Sequence, residues 1–151
     1  MRGVIQRVSG AEVRVDGAVI GAIDEGLVVL VGVTHEDTER DAAALADKLV
    51  GLRVFADADG AMNRSVGDVA GSVLVVSQFT LYGEARKGRR PSFVKAAPPA
   101  VAEPLVGSMV DRIARAGVTV ATGRFGAVME VELVNSGPVT IILETFDGRI
   151  V

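Results

Sequence analysis

Ser72-Val73-Leu74-Val75-Val76-Ser77-Gln78-Phe79-Thr80-Leu81 runs from an unbroken apolar stretch into hydroxyls and an amide. The apolar part is too short for a helix and rich in β-branched residues, so it reads as a strand buried on both faces. Its polar end reads as a turn, which stays open to solvent while the strand holds its backbone. Arg86-Lys87-Gly88-Arg89-Arg90 follows closely, four cations in five positions. A polar strand end beside a cationic loop points to a substrate that carries phosphate.

Outward from that stretch, the chain alternates strand and helix signals. Val4, Ile5, Val8, Val13 and Val15 read as β-structure, and Asp16-Gly17 supplies a hairpin turn into Ala18-Val19-Ile20. Residues 27–33 read as a central buried strand. Ala42, Leu45, Ala46 and Leu49 follow the spacing of one buried helix face, and Thr38-Glu39-Arg40-Asp41 resembles a capping box with Asp in place of Glu. Val54-Phe55 reads as a short strand that ends in the turn Asp57-Ala58-Asp59-Gly60. Residues 78–97 lack a clear period and read as a long functional loop. Val106, Met109, Val110 and Ile113 mark a second helix, whose start is limited by Pro98, Pro99 and Pro104. Residues 118–122, 129–134 and 139–143 read as three further strands. The order β-β-β-α-β-β-α-β-β-β implies an α/β fold with mixed sheets and helices on one side.

Composition narrows the chemistry. The 151 residues are 49% hydrophobic and suit one domain with a substantial core. A formal net charge of -3 means that any contact with nucleic acid must come from a local patch. The absence of Cys removes disulfides, thiolate nucleophiles and thiolate metal sites. The first residues lack the apolar region of a secretory signal, and no apolar run approaches the roughly 20 residues of a membrane helix. A cytoplasmic location with no membrane contact is the expectation.

The candidate constellations each have two readings. Ser77, Gln78 and Thr80 either orient a carbonyl, with turn amides near Phe79 and Thr80 stabilising an oxyanion, or satisfy local backbone groups at a strand end. His35, the one histidine, is either the general base of a Ser-His-Asp triad or a loop residue before a helix, and the second reading is preferred; a lone His with no Cys builds no typical zinc site. Arg86, Lys87, Arg89 and Arg90 either grip phosphate, with Tyr82 and Phe93 stacking on a base, or form a solvated loop. Gly137-Pro138 is either an ordinary turn between two strands or a cis bond that aims main-chain carbonyls at a ligand. Gly123-Arg124-Phe125-Gly126 offers either a stacking shelf or a loop anchor.

Taken together, Ser77-Gln78-Phe79-Thr80-Leu81, Arg86-Lys87-Gly88-Arg89-Arg90-Pro91-Ser92-Phe93, Gly123-Arg124-Phe125-Gly126-Ala127 and Asn135-Ser136-Gly137-Pro138-Val139-Thr140 closely resemble the D-aminoacyl-tRNA deacylase family. The opening residues through Ser9 and Gly32-Val33-Thr34-His35 resemble it too. The resemblance implies a three-layer α/β/β fold with mixed, partly barrel-like sheets, forming a single domain over residues 1–151. It also implies a homodimer with active sites at the interface, acting on the 3′-terminal adenosine and acceptor stem of aminoacyl-tRNA. Ser77, Gln78, Phe79 and Thr80 match the catalytic segment. Gly137-Pro138 matches a Gly-cis-Pro that enters the partner subunit's pocket, and Arg7 matches the residue that holds that loop. Phe125 and Met129 match positions lining the pocket for the terminal nucleotide and aminoacyl group. The four cations become candidate phosphate contacts, and Ser136 departs from an Asp common in the family.

Two expectations follow from that resemblance. Rigid carbonyls that read the α-carbon exclude any L-side chain and leave a D-side chain pointing outward, so glycine, with nothing to reject, should also be hydrolysed. Thr80 has no histidine to activate it, so water assisted by the 2′-hydroxyl of the terminal ribose is the expected nucleophile, with no metal and no cofactor. A non-catalytic dimer binding tRNA 3′ ends and an L-specific editing deacylase with a trans Gly-Pro are the alternatives.

Overall fold

The computed structural model describes residues 1–151. Its main sheet is built around β1 (Arg2–Val15), which pairs along its first half with β3 (Gly26–Gly32) and along its second half with β2 (Ala18–Ile23). Asp16 and Gly17 both adopt positive φ, as the tight hairpin into β2 requires. β6 (Ser72–Ser77) lies parallel to β3, and β7 (Thr119–Thr122) lies parallel to β6. On its other side β1 pairs with the long β8 (Glu130–Phe146), which carries the short β9 (Arg149–Ile150). A small hairpin, β4 (Phe55–Ala56) and β5 (Met62–Arg64), stands apart.

Alternation along β3 explains why it reads as unbroken apolar sequence. Leu27, Val29 and Val31 point into a core shared with α1 (Glu39–Val50) and α2 (Pro99–Arg115). Val28 points the other way, into a second cluster with Val8, Val13, Leu74 and Val76. The sheet curls around that second cluster, and β2 comes so close to β7 that a Cβ on Gly21 would lie 2.5 Å from the Thr122 carbonyl oxygen. The result is a mixed α/β fold in which a half-barrel sheet carries both helices on one face. No helix is long and apolar enough to cross a membrane.

The helices follow their sequence signals with one exception. Thr38 donates from its amide and its hydroxyl to Asp41 Oδ2, at 2.9 and 2.8 Å, which gives α1 its expected start. α2 begins at Pro99, where a missing N–H is harmless, but it runs on through Pro104. Pro104 lies on the exposed face, so water can satisfy the carbonyl it leaves without a partner.

The last two expected strands are one element, β8, interrupted by a bulge. Gln6 pairs with Thr140 and Val8 with Asn135, so Ser136, Gly137, Pro138 and Val139 are extruded opposite Arg7. Asn135 clamps the base of this loop, accepting from the Val139 amide at 2.9 Å and donating to Thr140 Oγ1 at 3.0 Å.

Candidate active site

A cavity of about 540 Å³ opens at the C-terminal ends of the parallel strands β3 and β6. Val31 and Val33 form part of its wall, Val76 and Ser77 its rim, and Gln78 and Phe79 lead into the turn beyond. Pro99, Ala102 and Val106 of α2 close the back, while Phe125 and Met129 come from the connection between β7 and β8. Most of this lining is apolar, so a ligand there loses water along most of its surface and meets polar groups at one end.

The polar end is a single turn of 3₁₀ helix, Phe79–Tyr82. The Gln78 amide donates to Val31 O at 2.7 Å, and the Leu81 amide closes the turn onto Gln78 O at 3.2 Å. Between them, the amides of Phe79 and Thr80 stand at the N-terminal end of the turn, where a short helix has no earlier carbonyl of its own to bond. Arg2 holds the turn from behind, donating from Nη1 to Leu81 O at 2.7 Å and pairing with Glu144. Nothing in the sequence marked Arg2 for this task.

Ser77, Gln78, Phe79, Phe125 and Met129 come together around the cavity. Thr80 is exposed and does not line it, and its hydroxyl accepts a hydrogen bond from the Gln78 side-chain amide. Phe79 packs edge-on against Phe93, with ring centroids 5.1 Å apart, so these two aromatics support each other at the mouth. Tyr82, a candidate to stack on a base, is half-buried. It is drawn inward beneath the Arg2 guanidinium, 5.0 Å from the ring centroid, and burial pushes its phenol well above the ordinary value. His35 is exposed, and its Nε2 donates to Val94 O at 2.9 Å.

Arg86, Lys87, Arg89 and Arg90 lie on an exposed loop closed by mutual backbone bonds between Glu84 and Ser92, at 2.8 and 2.9 Å. Arg86 stands 3.6 Å from Glu84, whereas Lys87, Arg89 and Arg90 have no acidic partner. The Arg86 amide holds the Glu84 carboxyl below its usual range, and the nearby guanidinium adds to the effect.

Arg7, Gly137 and Pro138 are not at this cavity. Their level on the sheet is that of Leu27 on β3, whereas Ser77 is level with Val31 and Gly3. Arg7 on β1 is two strand steps from Ser77 and the Gly137-Pro138 loop on β8 is three, at most about 10 and about 14 Å along the curled sheet, and both are four residues, about 13 Å, further along the strands. The Gly137-Pro138 peptide is cis, and Gly137 has φ +132°, a backbone conformation closed to most L-residues. Arg7 donates from Nε to Ser136 O at 3.0 Å and from Nη1 to Val54 O.

Comparison with known proteins supplies the context for this geometry. The family model for D-Tyr-tRNA(Tyr) deacylase matches residues 4–144. A D-aminoacyl-tRNA deacylase of Thermus aquaticus is 59% identical over 145 residues, covering 96% of this chain and 95% of the relative. One from Geobacillus sp. (strain WCH70) is 57% identical over the same length and the same shares. Among solved structures, the c-Myc DNA Unwinding Element Binding Protein superposes with a TM-score of 0.89 at 40% identity, covering 96% of this chain and 99% of that one. A probable eukaryotic D-amino acid tRNA deacylase, at 17% identity, shares the fold with a TM-score of 0.82 over 95% of this chain and 98% of its own. The length and identity of these matches, on a fold that agrees with them, establish that the chain belongs to the D-Tyr-tRNA(Tyr) deacylase family, a family of hydrolases.

Proposed function

We propose that this chain, as one deacylase domain over residues 1–151, hydrolyses the ester between a D-amino acid and the 3′-terminal adenosine of tRNA. The cavity takes the terminal nucleoside and the shared part of the ester. Phe79 and Thr80 amides polarise the ester carbonyl, with Ser77 and Gln78 shaping the site around it. Water adds to the carbonyl carbon, the bond to O3′ breaks, and the proton lost by water reaches O3′ by way of the neighbouring 2′-hydroxyl. The products are the free D-amino acid and tRNA. This scheme calls on no metal or organic cofactor. Lys87, Arg89, Arg90 and Arg86 meet backbone phosphates of the acceptor stem, and the setting is the cytoplasm, where aminoacyl-tRNA is used.

The chiral filter is the Gly137-Pro138 loop of a second copy, in a homodimer whose sheets and helices form three layers. One observation carries this reading: within one chain, the loop and the cavity lie too far apart to act on the same ester. A second supports it. Phe79, Val94 and Val128, at or next to the cavity lining, are 57%, 80% and 91% exposed, which leaves an apolar mouth suited to a cover. Carbonyls presented there would reject an L-side chain whatever its chemistry. Glycine would pass, so glycyl-tRNA is a second substrate.

Subunit complementation tests this. Ser77→Tyr blocks the cavity and should be inactive on D-Tyr-tRNA, whereas Gly137→Val disrupts the loop and should hydrolyse D-Tyr-tRNA and L-Tyr-tRNA alike. In heterodimers of the two, the one open cavity is covered by the one intact loop, so preference for the D-ester should return. Continued hydrolysis of the L-ester by proven heterodimers would place loop and cavity function in the same chain. Binding of D-Tyr-tRNA by the wild type without hydrolysis would reduce the protein to a tRNA-end binder.

A further inference from the structure

Gly123 follows β7 and continues its parallel register, donating its amide to Val75 O at 3.0 Å. That bond fixes its Cα beside Val76, one residue before Ser77. Its φ lies outside the left-handed region, so backbone conformation does not explain why this residue lacks a side chain. Space does. A Cβ on Gly123 would lie 2.6 Å from Met129 Sδ and 3.7 Å from Met129 Cε and Val76 Cγ1. Ordinary contact between such atoms is about 3.5–4.0 Å, so the sulfur occupies the position a side chain would take.

We propose that Gly123 is a positioning residue for substrate binding, because the room it leaves seats the Met129 thioether and so sets the depth of the cavity beside Ser77. This rests on the deacylase reading of the cavity. Met129 borders the cavity on one side and packs on the other against the cluster that contains Val8, Leu74 and Val76. Its flexible thioether can shift, but the packed cluster gives it no room on that side. Met129 is half-buried and already lines the cavity, so a thioether pushed away from residue 123 on that side takes up room in it. There it meets the part of the substrate common to all the esters, because a D-side chain points outward. Gly123 thus acts through Met129 as a positioning residue, and the depth it sets is read by the terminal nucleoside and ester.

The test is Gly123→Ala with D-Tyr-tRNA and glycyl-tRNA as substrates. KM should rise about tenfold or more for both, by the same factor, with kcat changed little. Adding Met129→Ala should bring KM back to that of Met129→Ala alone, since the clash then has no partner. An unchanged KM, a rise confined to one ester, or a rise that Met129→Ala fails to relieve would overturn the proposal. A crystal structure of Gly123→Ala reads the packing directly, whether or not the wild type proves active on these esters. Met129 Sδ displaced into a smaller cavity is expected, and an unmoved sulfur contradicts it.

Discussion

Arg7 Nε donates to the carbonyl oxygen of Ser136, 3.0 Å away, at the point where β8 leaves its register with β1. The same guanidinium bonds Val54 O, so one side chain ties the extruded loop to the chain entering β4. Arg suits this because its planar fork reaches two carbonyls in fixed directions.

Arg7→Ala should therefore loosen residues 136–139 and leave the cavity intact. Water can replace the donor at the exposed Ser136 carbonyl, so the cost falls mainly on the half-buried bond to Val54 O, about 1 kcal/mol in local order. On the proposed account the ratio of D-Tyr-tRNA to L-Tyr-tRNA hydrolysis should fall about tenfold or more, because a loose filter discriminates poorly. Arg7→Lys should rescue little. Steady-state rates on both esters check this, and an unchanged ratio would separate Arg7 from chiral selection.

The Thr80 hydroxyl is held by Gln78 and lies outside the cavity lining. Thr80→Ala should keep most of the activity, within about threefold of wild type, since no base stands ready to make that hydroxyl a nucleophile. D-Tyr-tRNA ending in 2′-deoxyadenosine should lose most of its turnover. Single-turnover hydrolysis of the two combinations decides the point, and the reverse pattern would restore Thr80 as nucleophile.

Among the cations of the exposed loop, Arg89 and Arg90 have no acidic partner to give up. Replacing both by Ala should weaken tRNA binding and lower the salt slope of log K by about 1–2, the signature of lost phosphate contacts. Titrations of D-Tyr-tRNA binding between low and moderate salt provide the measurement. Identical slopes would move the acceptor stem to another face.

Asp41 links acid sensitivity to the C-terminal hairpin. Burial pushes its carboxyl up, but the Gly148 amide, the Thr38 hydroxyl and amide, and the N-terminal ammonium outweigh burial and hold it below its usual range. A carboxyl lowered on folding stabilises the fold fully above its ordinary value and loses that contribution as pH falls through the lower folded value. Asp41→Asn should be less stable than wild type at neutral pH, with the gap closing below about pH 4. Urea midpoints from neutral pH into acid test it, and a gap that widens in acid would contradict the sign.

What could be read from sequence was local. The strand at 72–77, the capped helix after Thr38 and the loop at 78–97 each carry their signal in neighbouring residues. The bulge at 136–139 was visible only as a turn, because extrusion from a continuous strand depends on the register of β1. The contact that draws Tyr82 inward was hidden for a similar reason: its partner, Arg2, lies far away in sequence. The apolar wall given by Ala102 and Val106 has no signature that sets it apart from core. The tail after Thr145 had no assigned part, and it proves to be a hairpin pinned to α1 by Arg40–Asp147 and Asp41–Gly148.

The central claim is that handedness of the aminoacyl group decides turnover, and parallel hydrolysis of D-Tyr-tRNA, L-Tyr-tRNA and glycyl-tRNA by the purified wild type tests it most directly. The account predicts rapid release of D-Tyr, measurable release of glycine at higher enzyme concentration, and an intact L-ester. Equal release of D-Tyr and L-Tyr, or preference for the L-ester, would contradict it.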